Sequence, residues 1–257
     1  EINLSYGELL AQVGAFEAYL RSVGVKAGDR VAGVVANAPE ALIAMLATAS
    51  LGAIWSSASP DFGIAGIYDR FGQIEPTVLV AVNGYGYGGK RFNRIEQMLT
   101  LKSKLPSLKS LVLIENLPEA GIPSEPGLIG WQQALAEGRG QRPSFVQVPF
   151  DHPVYILYSS GTTGVPKCIV HGGGGALVQH SKELIVHGDI KPDDVFFYFT
   201  TCGWMMWNWL ASGLLTGAQL ILFDGNPGYP SLDVLWDMAE RKGVTHFGTS
   251  ATYLGGC

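Results

Sequence analysis

The chain has 257 residues, 47% hydrophobic and 15% charged, enough length and apolar content to bury one large core or two smaller ones, which excludes disorder as its default state. Its 17 basic and 22 acidic residues leave a net charge of -5 without a basic stripe, which excludes a nucleic-acid footprint. The three cysteines, Cys168, Cys202 and Cys257, lie too far apart for a CxxC zinc pattern, suggest no disulfide framework and suit a reducing cytoplasm.

The chain opens at Glu1 without the basic region and apolar stretch of a signal peptide. Residues 4–24 read as a helix: Ser5 and Glu8 have capping-box spacing, Leu9, Val13, Phe16 and Leu20 share a face, and Gly24 suits the stop. An apolar run at 30–35, a helix at 39–51 and a short run ending at Ser57 follow. The alternation continues with a helix at 64–74, a strand at 77–82, a basic helix at 91–104 and a strand at 110–114. Continuous apolar strands interleaved with helices predict a parallel sheet covered on both faces.

Residues 115–149, rich in proline and holding one short helix (WQQALAEG), break this rhythm. They mark the expected seam between a first subdomain, 1–149, and a second, 150–257, with its own sheet. In the second, strands are expected at 154–158, 168–171, 195–199, 219–223 and 244–248, and helices at 176–187, 205–215 and 232–242. Between Asp194 and Asp224 no residue is charged, a run long enough to span a bilayer. Its glycines, Asn208, Gln219, missing basic flank and β-rich ends read instead as buried strands around a helix. Residues 251–257 begin another helix pattern and stop, as a piece of a longer protein would. The fold class is therefore α/β: two layered subdomains with mostly parallel sheets flanked by helices, the second truncated.

The segment 158–167, YSSGTTGVPK, carries the sharpest chemistry. Polyphosphate binding needs converging backbone N–H groups, hydroxyl donors and a mobile cation. Gly161 and Gly164 permit close backbone approach, Ser159, Ser160, Thr162 and Thr163 supply hydroxyls, and Lys167 supplies an ammonium held at the loop exit by Pro166. A Ser/Gly-rich hairpin turn is the plain alternative. A Walker loop fits less well, because Val165 and Pro166 precede the lysine and Cys168 stands where Ser or Thr would bind magnesium.

YSSGTTGVPK resembles the phosphate-loop signature of the adenylate-forming superfamily of acyl-CoA synthetases, luciferases and peptide-synthetase adenylation domains. The stretch from LSYGELLAQVGAF to IWSSASPDF is similar to the family's amino-terminal region, so the resemblance covers nearly the whole chain. Within it, PKCIVHGGGG and TTCGWMMWNWLASGLLTGAQLILFDG look most like the branch that ligates acetoacetate to CoA. The resemblance implies that acetoacetate attacks the α-phosphorus of ATP, giving an acyl-adenylate and pyrophosphate, after which the CoA thiol displaces AMP. ATP, magnesium and CoA are thus the implied cofactors and cosubstrates. Ser159, Ser160, Gly161, Thr162, Thr163, Gly164 and Lys167 would grip the β- and γ-phosphates, with Lys167, Thr162 and Thr163 nearest the chemistry. Acetate or propionate ligation, and a non-catalytic nucleotide-binding role, are the alternatives.

Trp204, Met205 and Met206 align with the family segment that lines the acyl site, where bulk would shorten the pocket to suit a four-carbon acid; plain core is the other reading. His171, just after the loop, is assigned to the same site or to a structural role. Lys90, Arg91 and Arg94 follow GYGYGG where short-chain relatives hold the CoA nucleotide, or else form a solvated basic helix face. Cys168 is expected in the core rather than as a nucleophile. His152, His180, His187 and His246 have no metal-ligand spacing, and no metal ligand is assigned. The family's adenine, ribose and magnesium ligands and its mobile carboxy-terminal lysine match nothing here, so the fragment alone is expected not to turn over.

Overall fold

Residues 1–159 and 164–257 are described by a computed structural model. Helix α1 (Tyr6–Ser22) starts at the capping box, with Glu8 N donating to Ser5 Oγ at 3.2 Å and Ser5 N to Glu8 Oε2 at 2.8 Å. There follow β1 (Arg30–Val34), α2 (Pro39–Ser50), β2 (Ile54–Ala58), α3 (Ile64–Ile74) and β3 (Val78–Val82). A hairpin of β4 (Gly84–Tyr87) and β5 (Lys90–Asn93) precedes α4 (Ile95–Lys104), β6 (Ser110–Ile114), β7 (Leu128–Gly130) and α5 (Trp131–Glu137). Next come β8 (Pro153–Tyr158), β9 (Cys168–Gly172) and α6 (Gly173–Ser181), which widens into a π-helical turn over Lys182–His187. The remainder is β10 (Val195–Tyr198), α7 (Met205–Ala211) with a 3-10 turn over Ser212–Thr216, β11 (Gln219–Ile221), α8 (Val234–Lys242), β12 (His246–Gly248) and α9 (Ala251–Leu254).

The large sheet has the order β7-β6-β3-β1-β2-β8-β9 and is parallel except for the β8–β9 pair. Val31, Val78, Val80 and Val112 face α1, α2 and α5, packing with Phe16, Leu20, Ile43 and Trp131. Ala32, Leu79 and Leu111 face α3 and α4, packing with Ile67, Phe71, Met98 and Leu101. Burial of both faces is why these strands read as unbroken apolar runs.

A second, parallel sheet, β11-β10-β12, lies between a cluster around Leu184, Phe196 and Leu210 and another around Phe197, Leu235 and Met238. It starts at Val195, not just after residue 149 as expected: β8 and β9 complete the first sheet instead. An apolar run specifies a buried strand but not its partner, and the short 159–167 connection returns β9 beside β8 as an antiparallel neighbour. The proline-rich stretch likewise stays with the first sheet, through β7 and through Trp131 of α5, whose ring lies 4.5 Å from that of Phe16. Helix α6 starts inside the glycine run, earlier than expected, because chain 150–152 caps its first amides: Gly173 N donates to His152 O at 2.8 Å and Gly174 N to Phe150 O at 2.9 Å. The uncharged run 195–223 is two short strands around α7 and a 3-10 turn, and no helix among the described residues is long and apolar enough to cross a membrane.

Candidate functional site

Parallel strands deliver their carboxyl ends to one edge of a sheet, where open α/β folds collect ligand-binding loops. Here β1 leads to Asn37, β2 to Phe62, β3 to the β4–β5 hairpin and β8 to the loop at 159–167. The second sheet joins them, because Ser57 Oγ donates to Cys202 O at 2.6 Å and Cys202 Sγ to Ala36 O at 3.4 Å. The sequence signals for phosphates, acyl group and CoA therefore fall on one rim.

The loop is the mouth of the β8–β9 hairpin: Tyr158 and Cys168 form the last register pair, and Ser159 N donates to Lys167 O at 3.0 Å. Gly164 takes a φ of +105°, which only glycine adopts readily. Lys167 is exposed. Ser160, Gly161, Thr162 and Thr163 lie outside the described residues. Tyr158 is wedged beneath the loop: Ser56 Oγ donates to its hydroxyl at 3.1 Å, the Phe71 ring lies 6.5 Å away, and the Arg70 guanidinium sits 5.7 Å above its ring. Burial pushes its pKa far up, so the phenol stays neutral.

Cys168 differs from expectation. It is half-buried, its thiol 3.7 Å from Gln73 Oε1, because β9 is the outermost strand and leaves one side without a neighbour. Burial still pushes the thiol pKa up, which disfavours the nucleophilic thiolate.

At the start of α7 the aromatic segment divides. Trp204 and Met205 are 58% and 45% exposed, while Trp207 is 0% exposed and donates Nε1–H to Asn37 Oδ1 at 2.9 Å. Met206 is half-buried. Gly203 lets this segment approach the connection between β2 and α3: a Cβ there would lie 3.2 Å from the Phe62 ring and from Ser59 N. Thus Trp207 is core, and Trp204 and Met205 are presented at the rim. His171 sits on the strand side of this arrangement. It pairs with Tyr155, the two rings 5.0 Å apart, about 10 Å along β9 from Cys168. Burial lowers its pKa and keeps it neutral.

Lys90 and Arg91 belong to a strand, not to the expected helix, which begins only at Ile95. Gly88 and Gly89, with φ of +56° and +76°, make the tight turn, and Tyr85 stacks on Phe92 at 5.0 Å across the hairpin. Lys90 and Arg91 line a groove of about 400 Å³ with Tyr87, Phe223, Asn226 and Tyr229. Arg91 also pairs with Glu119 at 2.6 Å, an exposed pair of small energetic weight. Arg94 is turned inward, its Nη2 donating to Phe62 O at 2.5 Å.

The other histidines that make hydrogen bonds do so structurally: His152 to Gly52 O at 2.7 Å, His180 to Ser212 Oγ at 2.7 Å and His246 to Gly188 O at 2.9 Å. Among the described residues no three His, Cys, Asp or Glu side chains gather as a metal site. Sequence reasoning missed Asn37, 3% exposed, whose Nδ2 donates to Thr200 O at 3.3 Å and Phe223 O at 3.2 Å. Its one signal was a lone amide between apolar residues just past a strand.

A family model described as AMP-binding enzyme matches residues 1–255, and the chain belongs to that family of adenylate-forming enzymes. It is similar to acetoacetyl-CoA synthetase of Gallus gallus, 48% identical over 98% of this chain and 39% of the relative. Acetoacetyl-coenzyme A synthetase of Rhizobium meliloti (strain 1021) is 47% identical over the same shares, 98% and 39%. The solved structure of acetoacetyl-CoA synthetase from Streptomyces lividans matches with a TM-score of 0.95 at 48% identity, covering 100% of this chain and 39% of that one. The chain thus spans well under half the length of the relatives it matches.

Proposed function

We propose that the chain is the phosphate-gripping part of an enzyme that activates acetoacetate with ATP and passes it to CoA. The observation that carries this reading is the 159–167 loop at the carboxyl edge of the sheet, its neck closed by the Ser159–Lys167 bond and its lysine exposed. A carboxylate oxygen of acetoacetate attacks the α-phosphorus, the bond to the bridging oxygen breaks, and pyrophosphate leaves. Lys167 neutralises charge gathering on that leaving group, and the hydroxyls of Ser159, Ser160, Thr162 and Thr163 with the amides at Gly161 and Gly164 hold its oxygens. Magnesium accompanies ATP as part of the substrate complex. The CoA thiol then attacks the acyl carbon and AMP departs.

Trp204, Met205 and Met206 border the acyl group, and the groove at Lys90 and Arg91 takes the phosphorylated nucleotide end of CoA. His171, whose ring packs on that of Tyr155, is read as a structural residue of β9. The preference for acetoacetate is supported by the names of the relatives above, and a cytoplasmic setting by the three free thiols.

Substrate-dependent exchange of pyrophosphate into ATP by the full-length protein tests the reading. Acetoacetate should support it well above acetate and 3-hydroxybutyrate, and Lys167→Ala should lower it by roughly a hundredfold with folding intact. Equal rates with acetate would remove the acetoacetate assignment, and an unaffected Lys167→Ala would remove the loop's role.

A further inference from the structure

Helix α3 touches the phosphate loop at both ends. Arg70 and Phe71 cover Tyr158 at the entry, and Gln73, less than one turn further on, reaches the exit. The Gln73 carboxamide is fully used there: Nε2 donates to Pro166 O at 2.8 Å and to Asp69 O at 2.6 Å, and Oε1 faces the Cys168 thiol at 3.7 Å. These contacts bracket Lys167 on both sides, and the lysine's own carbonyl is held by Ser159 N. Its main chain is therefore held at its own carbonyl by Ser159 and at the preceding carbonyl by Gln73, while its side chain stays exposed.

Neither Pro166 nor Cys168 can anchor the loop through its own side chain. Proline has no N–H to donate, and a neutral thiol is a weak hydrogen-bonding group. The exit needs a carbonyl-directed donor from outside the hairpin, and Gln73, on the exposed face of a helix whose other face is packed in the core, supplies one. Helix α3 is itself fixed, with Ile67, Phe71 and Ile74 in the core.

We infer that Gln73 is a positioning residue for ATP use, holding Pro166 O so that Lys167 leaves the hairpin aimed at the polyphosphate; this rests on the ATP reading of the loop. The residue acts through Lys167 and touches no reacting atom.

The test is a double-mutant cycle in the full-length protein, read by pyrophosphate exchange. Gln73→Ala is expected to raise the KM for ATP about tenfold, the worth of one hydrogen bond, with the KM for acetoacetate and the thermal midpoint little changed. Gln73→Glu should be worse, because a carboxylate cannot donate to Pro166 O and repels the phosphates. In a Lys167→Ala background Gln73→Ala should add almost nothing. Additive effects, or equal rises in both KM values, would overturn the positioning role while leaving the loop reading intact. A silent Lys167→Ala would instead remove the loop reading itself, and this inference with it.

Discussion

A carboxylate buried on the apolar side of a helix is costly unless its oxygens are engaged. Glu17 of α1 is 3% exposed and meets that condition four times. Its Oε2 accepts from Ser144 N at 2.8 Å and Ser50 Oγ at 2.9 Å, and its Oε1 from Ser144 Oγ and Arg21 Nη2, both at 2.7 Å. Burial alone would raise its pKa, but the bonds from Ser144, Arg21 and Ser50 outweigh it and hold the carboxyl below its usual value of 4.5. A group whose folded pKa is depressed contributes stability above its unfolded pKa and loses it as pH falls through the folded one. Glu17→Ala should therefore cost about 2 kcal/mol near neutral pH, and the variant's stability should fall less steeply than the parent's between about pH 5 and 3. Urea unfolding at stepped pH measures both; a parallel fall in the two proteins would show that Glu17 is not the acid-sensitive group. The sequence offered no sign of this tie, because Ser50 and Ser144 lie 33 and 127 residues away.

Elements with strong local signals were legible: the Ser5–Glu8 box sets the start of α1, and the apolar runs at β1, β3 and β6 are strands. The β4–β5 hairpin was not, because the amphipathic pattern of α4 hides the strand in front of it. What decides there is backbone conformation, with positive φ at both Gly88 and Gly89. The two glycines differ in surroundings: a Cβ at Gly88 would lie no closer than 3.6 Å to any neighbour, whereas one at Gly89 would lie 2.5 Å from Tyr229 Oη and 2.7 Å from its Cζ. Alanine at either position incurs the left-handed strain of roughly 1 kcal/mol, but only Gly89→Ala also pushes the Tyr229 ring, which lines the groove, out of its place. In the full-length protein Gly89→Ala should raise the KM for CoA more than Gly88→Ala does, while pyrophosphate exchange stays near the parent's in both. Equal KM values for CoA in the two variants would mean that the groove is not where CoA binds.

At the scale of the molecule, the rim lies where two sheets meet, so its geometry depends on how they are joined. That joint is sparsely polar and centres on Asn37, an arrangement no local pattern could announce because its partners come from three later elements. Its amide donates to Thr200 O and Phe223 O past the ends of β10 and β11 and accepts from Trp207 of α7, and its backbone N donates to Asp224 Oδ1 at 3.3 Å. Besides the Ser57–Cys202 and Cys202–Ala36 bonds, Tyr6 adds a further tie, its hydroxyl donating to Ala218 O at 2.8 Å. Apolar contact continues across the joint, since Cys202, Trp207 and Ala211 belong to the same core cluster as Phe16 and Trp55. Asn37→Ala would keep that contact but strand a buried indole N–H and two carbonyls, a loss of about 3 kcal/mol. The loss should fall unevenly. The large sheet is covered on both faces by its own helices, whereas the three-stranded sheet has smaller clusters and leans on the joint. Hydrogen exchange on Asn37→Ala should thus show amides of β10, β11 and β12 losing protection while those of β1, β3 and β6 keep theirs. Equal loss in both sheets would mean that they open as one cooperative unit, with Asn37 a core residue like any other and not the tie that sets the rim.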